Sequence, residues 1–385
     1  MTETEQYKRP VVMIGTGFVA DLYIRSQELH PTVEIIGAFD IRPGRLAEFC
    51  AYWKLRAFDS LQAALEALPE NGLVLNLTSP AAHYEVSRAC LEAGRHVYSE
   101  KPLATEFDKA QDLVALAQAR GLQLGGAPCS YLSEAAMTLA EAVRTDVCGT
   151  VRLIYAEMDD GYIPQAPYDK WFSESGAPWP YEDEMRTGCT LEHAGYVLTW
   201  MIAIFGPIKT ITAFSAPTID KGLDPECSTP DTSIGILHFE SGPILRLTIT
   251  IVAPHNHELL VTGDKGTLEI KDTWNNYARI LFRKRLRIRR RLLESPIAKR
   301  LRFGKKQSGA RASRRGSSTM DYFLGPVELL EQIHRNNLDR YATDLALHTT
   351  EATLALQNAG AESTFYRMQS RCEALPYHLR EERAT

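Results

Sequence analysis

The chain is poor in several things, and each absence excludes a class of protein. No run of about 18 apolar residues occurs, so no membrane-spanning helix is expected. The opening segment, MTETEQYKRP, lacks an apolar h-region, so no secretory signal is expected. Cysteines number only seven, at 50, 90, 129, 148, 189, 227 and 372, with no CxxC pair. An odd, dispersed set argues against a disulfide frame or a zinc ribbon and fits reduced thiols in the cytoplasm. Close histidine pairs are scarce. His255 and His257 are two apart and would share one side of a strand, but no Cys or acid cluster adjoins them in sequence. No metal is expected. Internal repeats are absent.

Charge is unevenly spread. The 385 residues carry a net charge of -5. Residues 279–315 hold sixteen of the 43 Lys and Arg and one of the 48 Asp and Glu, leaving 27 basic against 47 acidic residues, or -20, elsewhere. A basic insertion over 279–318 is therefore attached to an acidic body. Its Gly/Ser/Arg-rich end, 304–318, reads as disordered. A solvated insertion is the plain reading. An anionic ligand or an acidic surface is the alternative. Few aromatics interleave the basic residues, so no specific nucleic-acid partner is expected.

Along the chain, short apolar runs alternate with helical segments. Runs at 11–14, 33–39, 73–77, 96–98 and 122–124 read as buried strands. Between them, 18–29, 46–53, 81–93 and 107–120 read as helices, the last two stopped by Gly94 and Gly121. This is the pattern of an α/β doubly wound parallel sheet of the Rossmann kind over residues 1–127. Strand-like segments at 151–158, 209–214, 233–240, 244–252, 258–261 and 266–271 follow. They predict an α+β domain over 128–341 with a large open antiparallel sheet and a helix over 191–205. A closing helix at about 342–360 is expected to pack back on the first domain.

The first strand ends in Gly15-Thr16-Gly17-Phe18-Val19-Ala20. Gly15 suits the tight bend, Gly17 lets backbone approach a pyrophosphate, and Ala20 allows close helix–strand packing. The helix start offers free N–H groups to phosphates. Asp40 lies 25 residues after Gly15, where an acid meets ribose hydroxyls. Its charge favours NAD, and Arg42 and Arg45 nearby leave NADP as the less favoured cofactor. Downstream stands Glu100-Lys101-Pro102-Leu103-Ala104, a lysine in a proline-stiffened segment.

Taken with Thr78-Ser79-Pro80, His83, CLEAGRHVYSEKPLA (90–104) and GCTLEHAGYVLTWMIAIFG (188–206), this chain resembles the Gfo/Idh/MocA family, the glucose-fructose oxidoreductase and inositol dehydrogenase group. The resemblance implies a nicotinamide-dependent oxidoreductase of sugars, cyclitols or their derivatives. It implies a homodimer or homotetramer through the second sheet. It assigns Gly15, Thr16, Gly17, Phe18, Val19, Asp40, Arg42, Thr78, Ser79, Pro80, His83, Glu100 and Lys101 to the cofactor, and has Lys101 also reach the reacting hydroxyl. The family usually sets an Asp and a His four residues apart on one helix. Here His193 falls at the Asp position and Val197 at the His position, so the chain departs from that dyad.

Hydride transfer between a carbinol carbon and nicotinamide needs a group to manage the hydroxyl proton. Lys101 serves as a base if burial lowers its pKa, or stays charged and holds the oxygen. His193 is the second catalytic candidate, with Glu192 or Tyr196 as helpers. The aromatic and acidic stretch 159–184 suits a loop over a sugar. Tyr162 and Trp171 in it, and Tyr131, are expected to line the substrate pocket. Two alternatives stay open: a glycosidase-type enzyme that recycles its NAD internally, and a nucleotide-sensing protein that has lost catalysis.

Overall fold

The computed structural model describes residues 8–223, 229–302, 319–337 and 339–375. The expected disordered stretch at 304–318 lies outside the described residues, as does Cys227.

The first half runs β1 (Arg9–Ile14), α1 (Phe18–Gln27), β2 (Val33–Phe39), α2 (Pro43–Trp53), α3 (Leu61–Ala67), β3 (Leu73–Asn76), α4 (His83–Glu92), β4 (His96–Ser99), α5 (Phe107–Arg120) and β5 (Leu124–Gly126). Its five strands are all parallel, in the order β2-β1-β3-β4-β5. Alternate residues of β1 feed two cores. Val11 and Met13 point into one, Val12 and Ile14 into the other, and all four are buried. Leu73 and Leu75 against Val74 repeat this in β3. A strand that must bury both faces cannot alternate polar and apolar residues, which is why these runs read as continuous. Helix α3 begins at Ser60, whose side chain accepts the Ala63 N–H at 3.1 Å.

The second half continues with α6 (Glu134–Arg144), β6 (Val151–Asp159), α7 (Tyr181–Thr187), α8 (Cys189–His193), α9 (Gly195–Phe205), β7 (Ile208–Ala216), β8 (Thr232–Phe239), β9 (Ile244–Thr250), β10 (Leu259–Gly263), β11 (Gly266–Ile270), β12 (Leu281–Ile288), β13 (Arg291–Glu294) and β14 (Lys299–Arg300). Helices α10 (Leu324–His334) and α11 (Tyr341–Gln357) and strand β15 (Thr364–Arg367) close it. The strands form one ten-stranded sheet, β13-β12-β11-β10-β6-β9-β8-β7-β15, with β14 on β12.

Three features differ from expectation. The sheet is mixed, because β6 and β9 pair in parallel. Equivalent neighbours in a sheet cannot be assigned a direction from side-chain alternation alone. The helix expected over 191–205 is broken at Ala194 into α8 and α9. The first part of the basic insertion is ordered as β12 and β13, which extend the sheet.

Helix α11 packs on β5 and α5 of the first sheet and on β7 and α9 of the second half. It is buried along most of its length, including Glu351, which accepts bonds from Tyr366 at 2.9 Å and from the backbone of Gln369 and Ser370.

Candidate active site

The loops leaving the five parallel strands gather at one edge, the carboxyl ends, where open α/β sheets bind ligands. Gly15 follows β1 with φ +97, and a Cβ there would lie 2.5 Å from the Leu77 carbonyl oxygen. Only glycine fits both the conformation and the space. A Cβ on Gly17 would meet nothing within 4 Å, so its backbone faces open space at the start of α1. Asp40 follows β2 and is buried. One carboxylate oxygen accepts the Thr16 N–H at 2.9 Å and the Thr16 hydroxyl at 2.8 Å, and the other accepts the Arg42 N–H at 2.9 Å. Burial alone would raise its pKa, but these bonds and the Arg42 guanidinium outweigh it and hold the carboxyl below its ordinary value.

After β3, Thr78 caps back onto Asn76 at 2.7 Å. His83 is buried and places one ring nitrogen 2.7 Å from the Pro102 carbonyl and the other 3.0 Å from that of Thr78. Its ring therefore joins the Thr78-Ser79-Pro80 loop to the Glu100-Lys101-Pro102 loop. Glu100 is buried and accepts the Tyr23 hydroxyl at 2.8 Å and the Lys101 N–H at 3.1 Å. The open backbone at Gly17, the start of α1 and the buried Asp40 carboxylate fit a dinucleotide.

A short strap from the second half lies on this cradle. Arg45 donates to the Thr16 carbonyl at 2.8 Å and the Ser175 carbonyl at 2.7 Å. Asp21 accepts the Ser175 N–H at 2.9 Å and hydroxyl at 2.8 Å, and Arg25 forks onto Glu174.

Across the cleft, Lys101 forms an ion pair with Glu192 of α8. Burial opposes its charge, but Glu192, Glu184 and Glu100 more than compensate, and the ammonium pKa is raised well above its usual value. The ion pair with Glu192 thus keeps Lys101 charged. Glu184 of α7 lies against the same pair. Burial and the Glu192 carboxylate push it up to about 8, against the pull of Lys101 and His193.

His193 Nε2 lies 2.7 Å from one oxygen of Asp160. The other oxygen lies 2.9 Å from His257 Nε2, and His257 Nδ1 is 3.6 Å from Asp272. Burial opposes protonation of both imidazoles, yet the Asp160 charge prevails: His193 is raised and His257 is raised to about 9. Asp160, which burial would raise, is held well below the carboxylate range by the two histidines. His193 Nδ1, Trp274 Nε1 and both amide atoms of Asn276 are buried and have no hydrogen-bond partner among the described residues. Rings of His193, Tyr196 and His257 surround Trp274 at 6.1, 5.3 and 4.4 Å.

The structure thus brings Lys101, Glu192, His193 and Tyr196 together beside Glu100. Tyr131 is buried in the core against Tyr341, at 6.1 Å between rings. Tyr162 is exposed, and Trp171 stacks edge-on against Trp179 at 5.3 Å, so this aromatic stretch packs largely on itself. Asp160, Glu184, Asp272, Trp274 and Asn276 join Lys101, Glu192, His193 and Tyr196 without any local sequence motif to mark them singly. No Cys or acid cluster adjoins His255 and His257 in the sequence, but the fold brings Asp160 to them: its ligand atom and theirs lie within 4.8 Å of one another. Asp160 comes from the end of β6, far from the pair in the chain, and both its oxygens already serve His193 and His257.

Comparison with known proteins gives the arrangement a lineage. The profile described as "Oxidoreductase family, NAD-binding Rossmann fold" matches residues 9–126, and the "GFO/IDH/MocA C-terminal domain" matches 136–269. The chain belongs to the Gfo/Idh/MocA family of NAD(P)-dependent oxidoreductases. It is 25% identical over 268 residues to an uncharacterised oxidoreductase of Synechocystis, covering 67% of this chain and 70% of that one. It is 30% identical over 112 residues to UDP-N-acetylglucosamine 3-dehydrogenase of Acidithiobacillus ferrooxidans, covering 29% of this chain and only 34% of that enzyme. The structure of KijD10, a 3-ketoreductase from Actinomadura kijaniata in complex with NADP and TDP-benzene, superposes with TM-score 0.69 at 16% identity, over 92% of this chain and 98% of that one. No helix among the described residues is long and apolar enough to cross a membrane.

Proposed function

We propose that this protein reduces a ketone of a sugar or sugar derivative, or oxidises the matching alcohol, with NAD as preferred cofactor. The observation that carries the reading is two neighbouring ion pairs anchored on α8: Lys101 held across the cleft by Glu192, and His193 held by Asp160. When bound, the nicotinamide supplies or accepts the hydride. The residues of this chain manage the oxygen. Lys101, kept charged, donates to the substrate oxygen and stabilises negative charge as it develops. His193 exchanges the proton through Nδ1, the nitrogen left unpartnered, while Asp160 fixes the ring through Nε2. His257 fixes Asp160 in turn.

The site favours reduction. Lys101 is held charged beside Glu192 and Glu184 is pushed up to about 8, so the site holds protons near neutrality. A newly formed alkoxide needs one. The orphaned atoms of Trp274 and Asn276 suit hydroxyl groups on the substrate. Relatives and structural neighbours named for UDP-N-acetylglucosamine and TDP ligands support a nucleotide-linked sugar as the class. The buried Asp40 charge supports NAD, with Arg42 beside it leaving some use of NADP.

The outer face of the ten-stranded sheet supports self-association. Phe365, Thr212 and Ile236 lie opposite one another in register on β15, β7 and β8, and Ile234 and Ile236 are exposed. We propose a homodimer or homotetramer through this face in the cytoplasm.

The test is oxidation of NADH and NADPH against a panel of keto-sugars and keto-sugar nucleotides, with the matching alcohols and NAD as the reverse arm. Turnover on a nucleotide-linked sugar lost in His193→Ala supports the reading. Cofactor binding without turnover on any compound rejects it.

A further inference from the structure

One strongly basic surface plays no part in the site described above. It is the hairpin of β12 and β13, which ends the ten-stranded sheet. Residues 279–302 hold eleven Lys and Arg and one acid, Glu294. Arg283 pairs with Glu269, and Arg285 with Glu294. Among the described residues no carboxylate lies in ion-pair range of Lys284, Arg287, Arg289, Arg290, Arg291 or Lys299.

The tip is also apolar. Ile288 is 52% exposed, Leu292 65%, Leu293 45% and Ile297, in the following turn, 80%. The strand register places Leu286 opposite Leu293, Ile288 opposite Arg291 and Arg287 opposite Leu292. Aliphatic side chains therefore stand on both faces of the tip, interleaved with guanidinium groups. Hydrophobic residues left in water at the end of a solvated insertion serve no core.

We propose that this hairpin docks the protein on an anionic lipid surface. The charge supplies attraction to acidic headgroups. Ile288, Leu292 and Leu293 supply shallow insertion below them. The arginine stems reach along the apolar layer while their heads stay with the phosphates. The aliphatic tip decides between partners. Single-stranded nucleic acid is held by basic grooves with aromatic stacking platforms, and no aromatic residue lies between Arg283 and Arg302. A soluble phosphate would use the charges and leave the aliphatics exposed. The remaining acidic body, at -20, keeps the attraction confined to this one projection.

The test is co-sedimentation of the full chain with phosphatidylcholine vesicles, with and without phosphatidylglycerol, at low and high salt. Binding to the anionic vesicles alone is expected. The triple variant Arg289→Gln, Arg290→Gln, Arg291→Gln should bind about a hundredfold more weakly, at about fivefold for each charge near such a surface. The triple variant Ile288→Ser, Leu292→Ser, Leu293→Ser should keep binding at low salt and lose it at high salt. Both should retain NAD binding, which confirms the fold because the hairpin does not touch the cradle. Equal binding to neutral vesicles, no binding to either, or an aliphatic variant indistinguishable from the parent at high salt overturns the proposal. So does an RNA oligomer that strips the protein from anionic vesicles, or a second copy of the chain that saturates the hairpin in their absence.

Discussion

The two walls of the cleft are built by opposite means. The cofactor wall comes from loops that follow successive parallel strands, and each contributes a short contiguous motif: Gly15–Ala20, Asp40, Thr78–Pro80, Glu100–Pro102. The opposite wall collects single residues from distant places: Asp160 after β6, Glu184 from α7, Glu192 and His193 from α8, His257 before β10 and Trp274 after β11. One wall is a set of backbone shapes, which fix residue types locally. The other is a set of side-chain charges, which only the tertiary fold brings into range.

Breaking a shape and breaking a charge should therefore have different signatures. The largest effect is expected at Lys101, where the walls meet. Lys101→Met should lower kcat by about 10³-fold or more while NAD affinity changes little, measured by steady-state rates and by fluorescence titration of NAD. A comparable loss of NAD affinity would place the lysine on the cofactor side alone.

His193→Ala should lower kcat by about 10²- to 10³-fold with KM nearly unchanged. Asp160→Asn should retain more activity than His193→Ala but move the pH dependence, because His193 loses the charge that raises it. A pH profile identical to that of the parent would contradict the relay.

Gly15→Ala tests the shape side. Its Cβ would press on the Leu77 carbonyl in a backbone conformation with φ +97. A destabilisation of about 3 kcal/mol is expected in denaturant titration, together with loss of NAD binding. Gly17→Ala meets no atom of the described residues within 4 Å, so it should leave stability nearly unchanged and weaken NAD alone.

A smaller effect concerns stability against pH. His257 is near 6.5 when unfolded and about 9 when folded. Its contribution is complete below pH 6.5 and is lost as the pH rises through 9. Glu184, raised from 4.5 to about 8, adds a fall of the same sign at lower pH. The melting temperature should thus decline from pH 6.5 to 9, and His257→Gln should flatten that decline without abolishing it. The smallest effect is cofactor choice: Asp40→Ser should shift the ratio of kcat/KM toward NADP by removing the charge that opposes a 2′-phosphate.

The same contrast explains what the sequence made legible. The parallel sheet was readable because β1 to β4 bury both faces and so appear as unbroken apolar runs. The cradle proposed for the cofactor was readable because glycine, aspartate and the lysine–proline step are dictated by local backbone. Lys101, Glu192, His193 and Tyr196 were named from the sequence and lie together in the fold, but the state of Lys101 stayed open there, since its charge depends above all on Glu192, which α8 brings to it. Asp160 was invisible as a partner of His193 because 32 residues of aromatic loop and helix separate them. The loss of the usual histidine at Val197 therefore reads differently in the folded protein. His193 takes its carboxylate, Asp160, from the residue after β6 instead of from its own helix.

The most direct test of this account is the pH profile of kcat/KM for ketone reduction, measured for the parent and for His193→Ala on the same keto-sugar substrate. The account predicts a rate that falls as the pH rises above the raised pKa of His193, and a variant in which that limb disappears with the bulk of the rate. A variant that keeps both the limb and the rate would place the proton elsewhere and contradict the central claim.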